Sequence, residues 1–152
     1  MADKSNEIQA LQAIVTGLTA QSVGHRIHGL VFGAQGLTKL ASKYAEHAEE
    51  EMGWVEKFAN RILDLGGEVK LEGMPGTQVH TDVVEYLKAE KKVSEDGIAQ
   101  VMDMMPAFEG DVVAHEDMKA YLIDEDGDLQ ETMKELDLIE LIGLQNWYAT
   151  QI

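Results

Sequence analysis

The chain has 152 residues, 45% of them apolar, and carries 12 basic against 28 acidic side chains for a net charge of −16. It has no cysteine, which excludes disulfides, zinc–thiolate sites and thiol catalysis. So few cations exclude free nucleic acid as a partner, because binding it requires phosphate neutralisation. No stretch of 18 apolar residues exists, so no membrane span is expected. Met1 to Ala10 is charged, reads as helix, and lacks the basic start and apolar run of a signal peptide; a cytoplasmic protein is expected. Two prolines, and an abundance of Leu, Ala, Glu, Met and Lys, favour helix over sheet.

The first periodic stripe runs Leu11, Val15, Leu18, Ser22, His25, Gly29, Phe32. Its steps of three and four put these residues on one face, predicting a helix over about 5–35. Glycines at 17, 24, 29 and 33 each cost about 1 kcal/mol there relative to Ala. Close backbone packing is the expected compensation. Gly36 marks a turn. The second stripe runs Leu37, Leu40, Tyr44, His47, Glu51, Trp54, Phe58, Arg61, Leu65, and Gly66-Gly67 ends it. Two long helices joined so tightly should lie antiparallel.

Residues 68–80 form the longest irregular stretch, with Gly73, Pro75 and Gly76. It is long enough to cross a bundle lengthwise. Thr81-Asp82 predicts the N-cap of a third helix from Val83 to about Met105. Pro106 and Gly110 interrupt the chain, a fourth helix is expected from about 108 to Ile142, and Gly143 separates it from a short fifth helix, Leu144 to Ile152. The expected fold is all-α: an antiparallel four-helix bundle with a long crossover between helices two and three and a short C-terminal helix, in one domain spanning 1–152.

Polar residues on stripes that should be apolar mark where chemistry sits. His25 and His47 are equidistant from Gly36, so an antiparallel pair brings them face to face, with Glu51 one turn from His47. Glu125 and Asp128, three apart, share a face of the fourth helix. The third helix offers Glu90 and Ser94. Histidines and carboxylates converging in a bundle core suit Fe, Mn or Zn. The alternative reading is a buried His–Glu hydrogen-bond network without metal. Asp124, Asp126, Asp128 and Glu135 match four positions of a calcium-binding EF-hand loop, but Leu129 stands where the loop needs glycine, and a continuous acidic helix is the favoured account. Glu46, Glu49, Glu50, Asp117 and Asp124 read as a solvated face.

Three segments carry a family resemblance. Glu51-Met52 through Arg61-Ile62-Leu63-Asp64-Leu65-Gly66-Gly67, Asp124-Glu125-Asp126-Gly127-Asp128, and Glu135-Leu136-Asp137-Leu138-Ile139 through Gly143-Leu144-Gln145-Asn146-Trp147 resemble the bacterioferritins. With a small deletion near Pro106 the resemblance spans nearly the whole chain. It implies a ferritin-like bundle, iron storage or detoxification, and dimers assembling into a hollow shell of up to 24 subunits. The family's di-iron site uses a Glu on helix one, Glu-x-x-His on helix two, a Glu on helix three and Glu-x-x-His on helix four. Carried over by position, Glu51 and Glu125 are retained. The helix-one Glu position is Leu18, the helix-two His is Trp54, the helix-three Glu is Ser94 and the helix-four His is Asp128.

Two readings follow. One is a shell-forming subunit without ferroxidase chemistry. The other is a metal site moved one turn along the bundle to His25 and His47, with Glu51 and Asp128 shared with the old position. By the same resemblance Met52 matches the methionine that ligates haem between paired subunits. Its alternative role is interface packing, and the nearby Arg26 and Glu49 make that surface polar.

Overall fold

A computed structural model describes residues 4–152; residues 1–3, part of the charged start, lie outside the described residues. The elements are α1 (Ser5–Ala34), α2 (Thr38–Asp64), α3 (Val83–Met104), α4 (Val112–Ile142) and α5 (Leu144–Thr150). No strand occurs among the described residues.

Helices α1 and α2 form one closely packed antiparallel pair, α3 and α4 the other, and the two pairs approach each other less closely. Residues 65–82 carry the chain between the pairs. Two hydrogen-bonded anchors hold this crossover against α1. Gln12 bonds Lys70 through both side-chain amide atoms, and His28 Nε2 accepts the His80 backbone N–H at 2.9 Å. The His28 Nδ1–H donates to the Gly24 carbonyl at 2.8 Å. Both ring nitrogens are therefore satisfied in the neutral form, and burial pushes the His28 pKa down.

Asp82 caps α3 as expected, its carboxylate accepting the Glu85 N–H at 2.9 Å. The fourth helix starts later than expected, at Val112 instead of 108. Pro106 lies in a single 3-10 turn, Met105–Phe108, and Asp111 caps α4 by accepting the Val113 and Ala114 N–H groups at 3.1 Å. Asp111 also accepts two bonds from the Arg61 guanidinium, at 2.9 and 2.5 Å, joining α2 to the cap. Buried beside it, Glu7 is pushed up to about 7 by burial and by Asp111.

Gly143, at φ +84°, adopts a left-handed conformation that disfavours a side chain and turns the chain from α4 into α5. Trp147 of α5 is fully buried and donates its indole N–H to Glu135. The Gln151 carbonyl accepts the Lys39 N–H at 2.8 Å, satisfying a free donor in the first turn of α2.

The four α1 glycines divide. A Cβ on Gly29 would stand 3.2 Å from the Ala41 carbonyl oxygen, and one on Gly33 would stand 3.4 Å from the Ala41 Cβ; Gly17 and Gly24 have no such neighbour. Close packing within the chain thus accounts for Gly29 and Gly33 and leaves Gly17 and Gly24 unexplained. Gly17→Ala is expected to stabilise by up to about 1 kcal/mol. Gly29→Ala is expected to destabilise, because a backbone carbonyl of α2 cannot yield as a side chain can. Paired thermal melts check the contrast; equal gains in both variants would contradict the close approach.

The core is divided. One apolar block comprises Leu11, Ile14, Val15, Leu18, Phe58, Ile62, Val101, Phe108, Met118 and Tyr121. The other comprises Phe32, Leu37, Leu40, Tyr44, Val83, Tyr86, Leu87 and Trp147. Between them α1 supplies Ser22 and His25, α2 supplies Glu51, α3 supplies Ser94 and α4 supplies Glu125, all buried.

Candidate metal centre

His25 is the centre of this polar layer. It is 3% exposed and reaches carboxylates on two other helices. Its Nε2 lies 2.6 Å from Glu90 Oε2 in a well-directed hydrogen bond. Its Nδ1 lies 2.5 Å from Glu51 Oε1, but this contact is not along a hydrogen-bond direction, so Nδ1 and both Glu51 oxygens lack a hydrogen bond of ordinary geometry. Tyr44 stacks on one face of the imidazole at 5.5 Å, and His47 meets it edge-on at 5.7 Å. Ligand atoms of His25, His47 and Glu51 lie within 4.8 Å of one another.

His47, Asp128 and Glu131 form a second such group toward solvent, with His47 Nε2 3.8 Å from Asp128 Oδ1. Lys43 reaches Glu131 at 3.6 Å. Ser22 satisfies its hydroxyl on the Ala48 carbonyl at 2.8 Å and takes no part. A cleft of about 730 Å³ between α1 and α3, bounded by crossover residues 72–80, reaches His25, His28, Tyr86 and Glu90.

The electrostatics follow from crowding charges in an apolar sleeve. Burial opposes charge on His25, yet contact with Glu51 and Glu90 outweighs it and raises the imidazole to about 10. Glu90 is half-buried, and His25 and Tyr86 hold it below the usual carboxylate range. Glu51 is raised by burial, offset only in part by His25. Glu125 is pushed up to about 8 by burial, then by Asp128 and Glu51. Asp128 rises to about 7 through burial and its acidic neighbours Asp124 and Glu50. His47 is lowered by burial and by the charge on His25. The layer holds more carboxylates than cations, a balance that a divalent ion would correct.

The antiparallel pairing thus brings His25, His47 and Glu51 together as the stripes predict, with Asp128 beside His47. Glu125 belongs to the layer, since Glu51 and Asp128 set its protonation, but it is not within ligand distance of the His25 group. Met52 follows Glu51 in sequence and is turned about 100° from it around the helix, half-buried on another face. Arg26 and Glu49 pair with each other. Asp124 to Glu135 lies inside the continuous helix α4, which removes the EF-hand loop.

The positions where the resemblance implies a di-iron site are filled differently. Leu18 belongs to the first apolar block. Trp54 stacks on Phe58 at 5.7 Å and on Tyr121 at 5.6 Å, and donates to Asp124 Oδ2 at 3.0 Å. Ser94 is buried. A packed aromatic and an aliphatic side chain do not fit a two-metal site there. His25 Nδ1 and Glu51, in contact with each other but without a hydrogen bond of ordinary geometry, are donor types that suit a metal one turn away.

Sequence reasoning noticed Glu90 as an inward residue on α3 without giving it a role. Its meeting with His25 depends on how the two pairs dock. Glu131 and the tyrosines 44 and 86 carry no sequence signal of a site, because a tyrosine on a helical face reads as core and a lone acidic residue reads as solvated.

Comparison with known proteins agrees with this architecture. The family model for the ferritin-like domain matches residues 8–142. The chain is 30% identical over 149 residues to a bacterial ferritin of Neisseria meningitidis serogroup A, covering 95% of this chain and 96% of the relative. The same values hold for a bacterial ferritin of Neisseria gonorrhoeae. A bacterioferritin of Brucella melitensis is 28% identical over 123 residues, covering 80% of this chain and 76% of the relative. The bundle, the crossover, the short fifth helix and these matches together establish that the chain belongs to the ferritin-like family, with bacterial ferritins and bacterioferritins among its relatives.

Proposed function

We propose that this protein stores or detoxifies iron as a bacterioferritin-type subunit in the cytoplasm, a single ferritin-like domain over 1–152. It pairs with itself and assembles further into a shell of up to 24 copies. Iron is cargo and enters the bundle one turn from the family's usual position. His25, His47 and Glu51 hold it, with Asp128 and Glu125 supplying negative charge alongside. One observation carries this reading: a buried imidazole nitrogen and a buried carboxylate that lack proper hydrogen bonds face a second histidine. The acidic face of Glu46, Glu49 and Glu50 draws cations toward the shell wall.

A second reading is favoured by Leu18 and Trp54. In it the chain is a structural subunit without ferroxidase activity, with or without haem at Met52. Crystals soaked aerobically in Fe²⁺ separate the two through an anomalous difference map at the iron edge. A peak within coordination distance of His25, His47 and Glu51 is the expected result. An empty bundle core would overturn the site. Fe²⁺ oxidation no faster than in buffer would leave storage or shell building without enzymatic chemistry. A Soret band lost in Met52→Leu would assign haem.

A further inference from the structure

We propose that Glu90 is a positioning residue for metal binding: it holds the Nε2–H of His25 and thereby presents Nδ1 to a single divalent ion shared with Glu51 and His47. This rests on the reading of that trio as the metal site.

The two edges of the His25 ring are not equivalent. Nε2 makes a directed bond to Glu90 at 2.6 Å. Nδ1 has a close neighbour, Glu51, but no hydrogen bond of proper geometry. An ionised carboxylate only accepts, so Nε2 carries a hydrogen, and the ring nitrogen with an available lone pair on deprotonation is Nδ1. That nitrogen faces Glu51, and His25, Glu51 and His47 each offer a ligand atom within 4.8 Å of the others. Glu90 flanks the opposite edge of the ring and stands outside this trio.

A carboxylate on the far nitrogen of a metal-bound imidazole fixes its tautomer and orientation and raises its basicity. Tyr86, one turn before Glu90 on α3, stacks on His28 at 3.9 Å. The site therefore lies beside the crossover anchor, His25, His28, Tyr86 and Glu90 lining one cleft. It leaves room for one ion among three protein ligands, since Trp54 and Leu18 close the next turn.

The test is titration of the assembled, chelator-treated protein with Co²⁺ alone, followed by visible d–d absorption and calorimetry. The unsubstituted protein is expected to bind one Co²⁺ per chain. It should show a hyperfine-shifted, slowly exchanging proton resonance from the His25 Nε2–H. Glu90→Gln, which keeps shape and an acceptor oxygen, should weaken binding about tenfold. Glu90→Leu should weaken it toward a hundredfold and abolish the slow exchange.

Absence of any Co²⁺ spectrum in the unsubstituted protein overturns the site and this role together. An unchanged affinity and an unchanged ring proton in Glu90→Leu overturn the role of Glu90 while leaving the site intact.

Discussion

His25→Leu is expected to lower stability by about 3–5 kcal/mol at pH 8, the range for removing one partner from a buried charge group. The replacement keeps much of the volume and removes the cation. Glu51 and Glu90 are then left facing an apolar sleeve without the imidazolium that does most to pull them toward ionisation. Lost packing alone, including the Tyr44 stack at 5.5 Å, would cost less and would not vary with pH. The charge argument makes a sharper demand. Removing His25 deletes a contribution that is largest below pH 6.5, while the stranded carboxyls take up protons in the folded variant as pH falls, so the loss should differ between pH 8 and pH 5. Urea unfolding of both proteins at pH 8 and pH 5 measures this. A loss of the same size at both pH values would show that His25 acts by shape and not by charge.

The second large effect is the pH dependence of the metal-free protein. Glu7, Glu125 and Asp128 have folded pKa values raised to about 7, 8 and 7. A raised carboxyl binds its proton more tightly in the folded state, so its contribution is favourable at low pH and is lost as pH climbs from the unfolded value through the folded one. His25, raised to about 10, acts in the same direction over the range above its unfolded value of 6.5. His28 and His47 are lowered, so they withdraw stability as pH falls through 6.5. Between pH 6 and pH 9 the four raised groups should therefore lower stability by about 4 kcal/mol, each pKa unit being worth about 1.4 kcal/mol and the total halved for coupling among neighbours. Glu125→Gln should flatten the alkaline limb. A divalent ion should flatten it in the unsubstituted protein too, by mass action on the folded state. An alkaline limb that is flat in chelator would mean the polar layer is solvated and not buried.

The polar layer explains why an acidic bundle tolerates both effects. Two apolar blocks provide the packing, and the layer between them sacrifices some stability to keep unmatched donors and acceptors in the core. Buried groups of this kind are retained where they serve a ligand or specify a register. The placement of His28 fits the same logic at the edge of the layer, where a satisfied neutral ring ties the crossover to α1.

The sequence by itself determined the helices, their order and their inward faces. Stripes stepping by three and four placed His25, His47 and Glu51 on core faces, and the turn at Gly36 put the two histidines opposite each other, because backbone hydrogen bonding fixes helical periodicity locally. Asp82 as a cap and Gly143 as a break were likewise legible, since caps and left-handed turns select residue types directly.

Only the tertiary structure decided the rest. The start of α4 at Val112 depends on Asp111 being held by Arg61 from another helix. The commitment of Glu90 to His25 depends on the separation of two helix pairs, a distance set by every side chain in both apolar blocks. Gly17 and Gly24 could not be distinguished from Gly29 until the path of α2 was known. Periodicity gives the direction of a side chain, whereas the few ångströms that separate a neighbour from a ligand come from packing between helices.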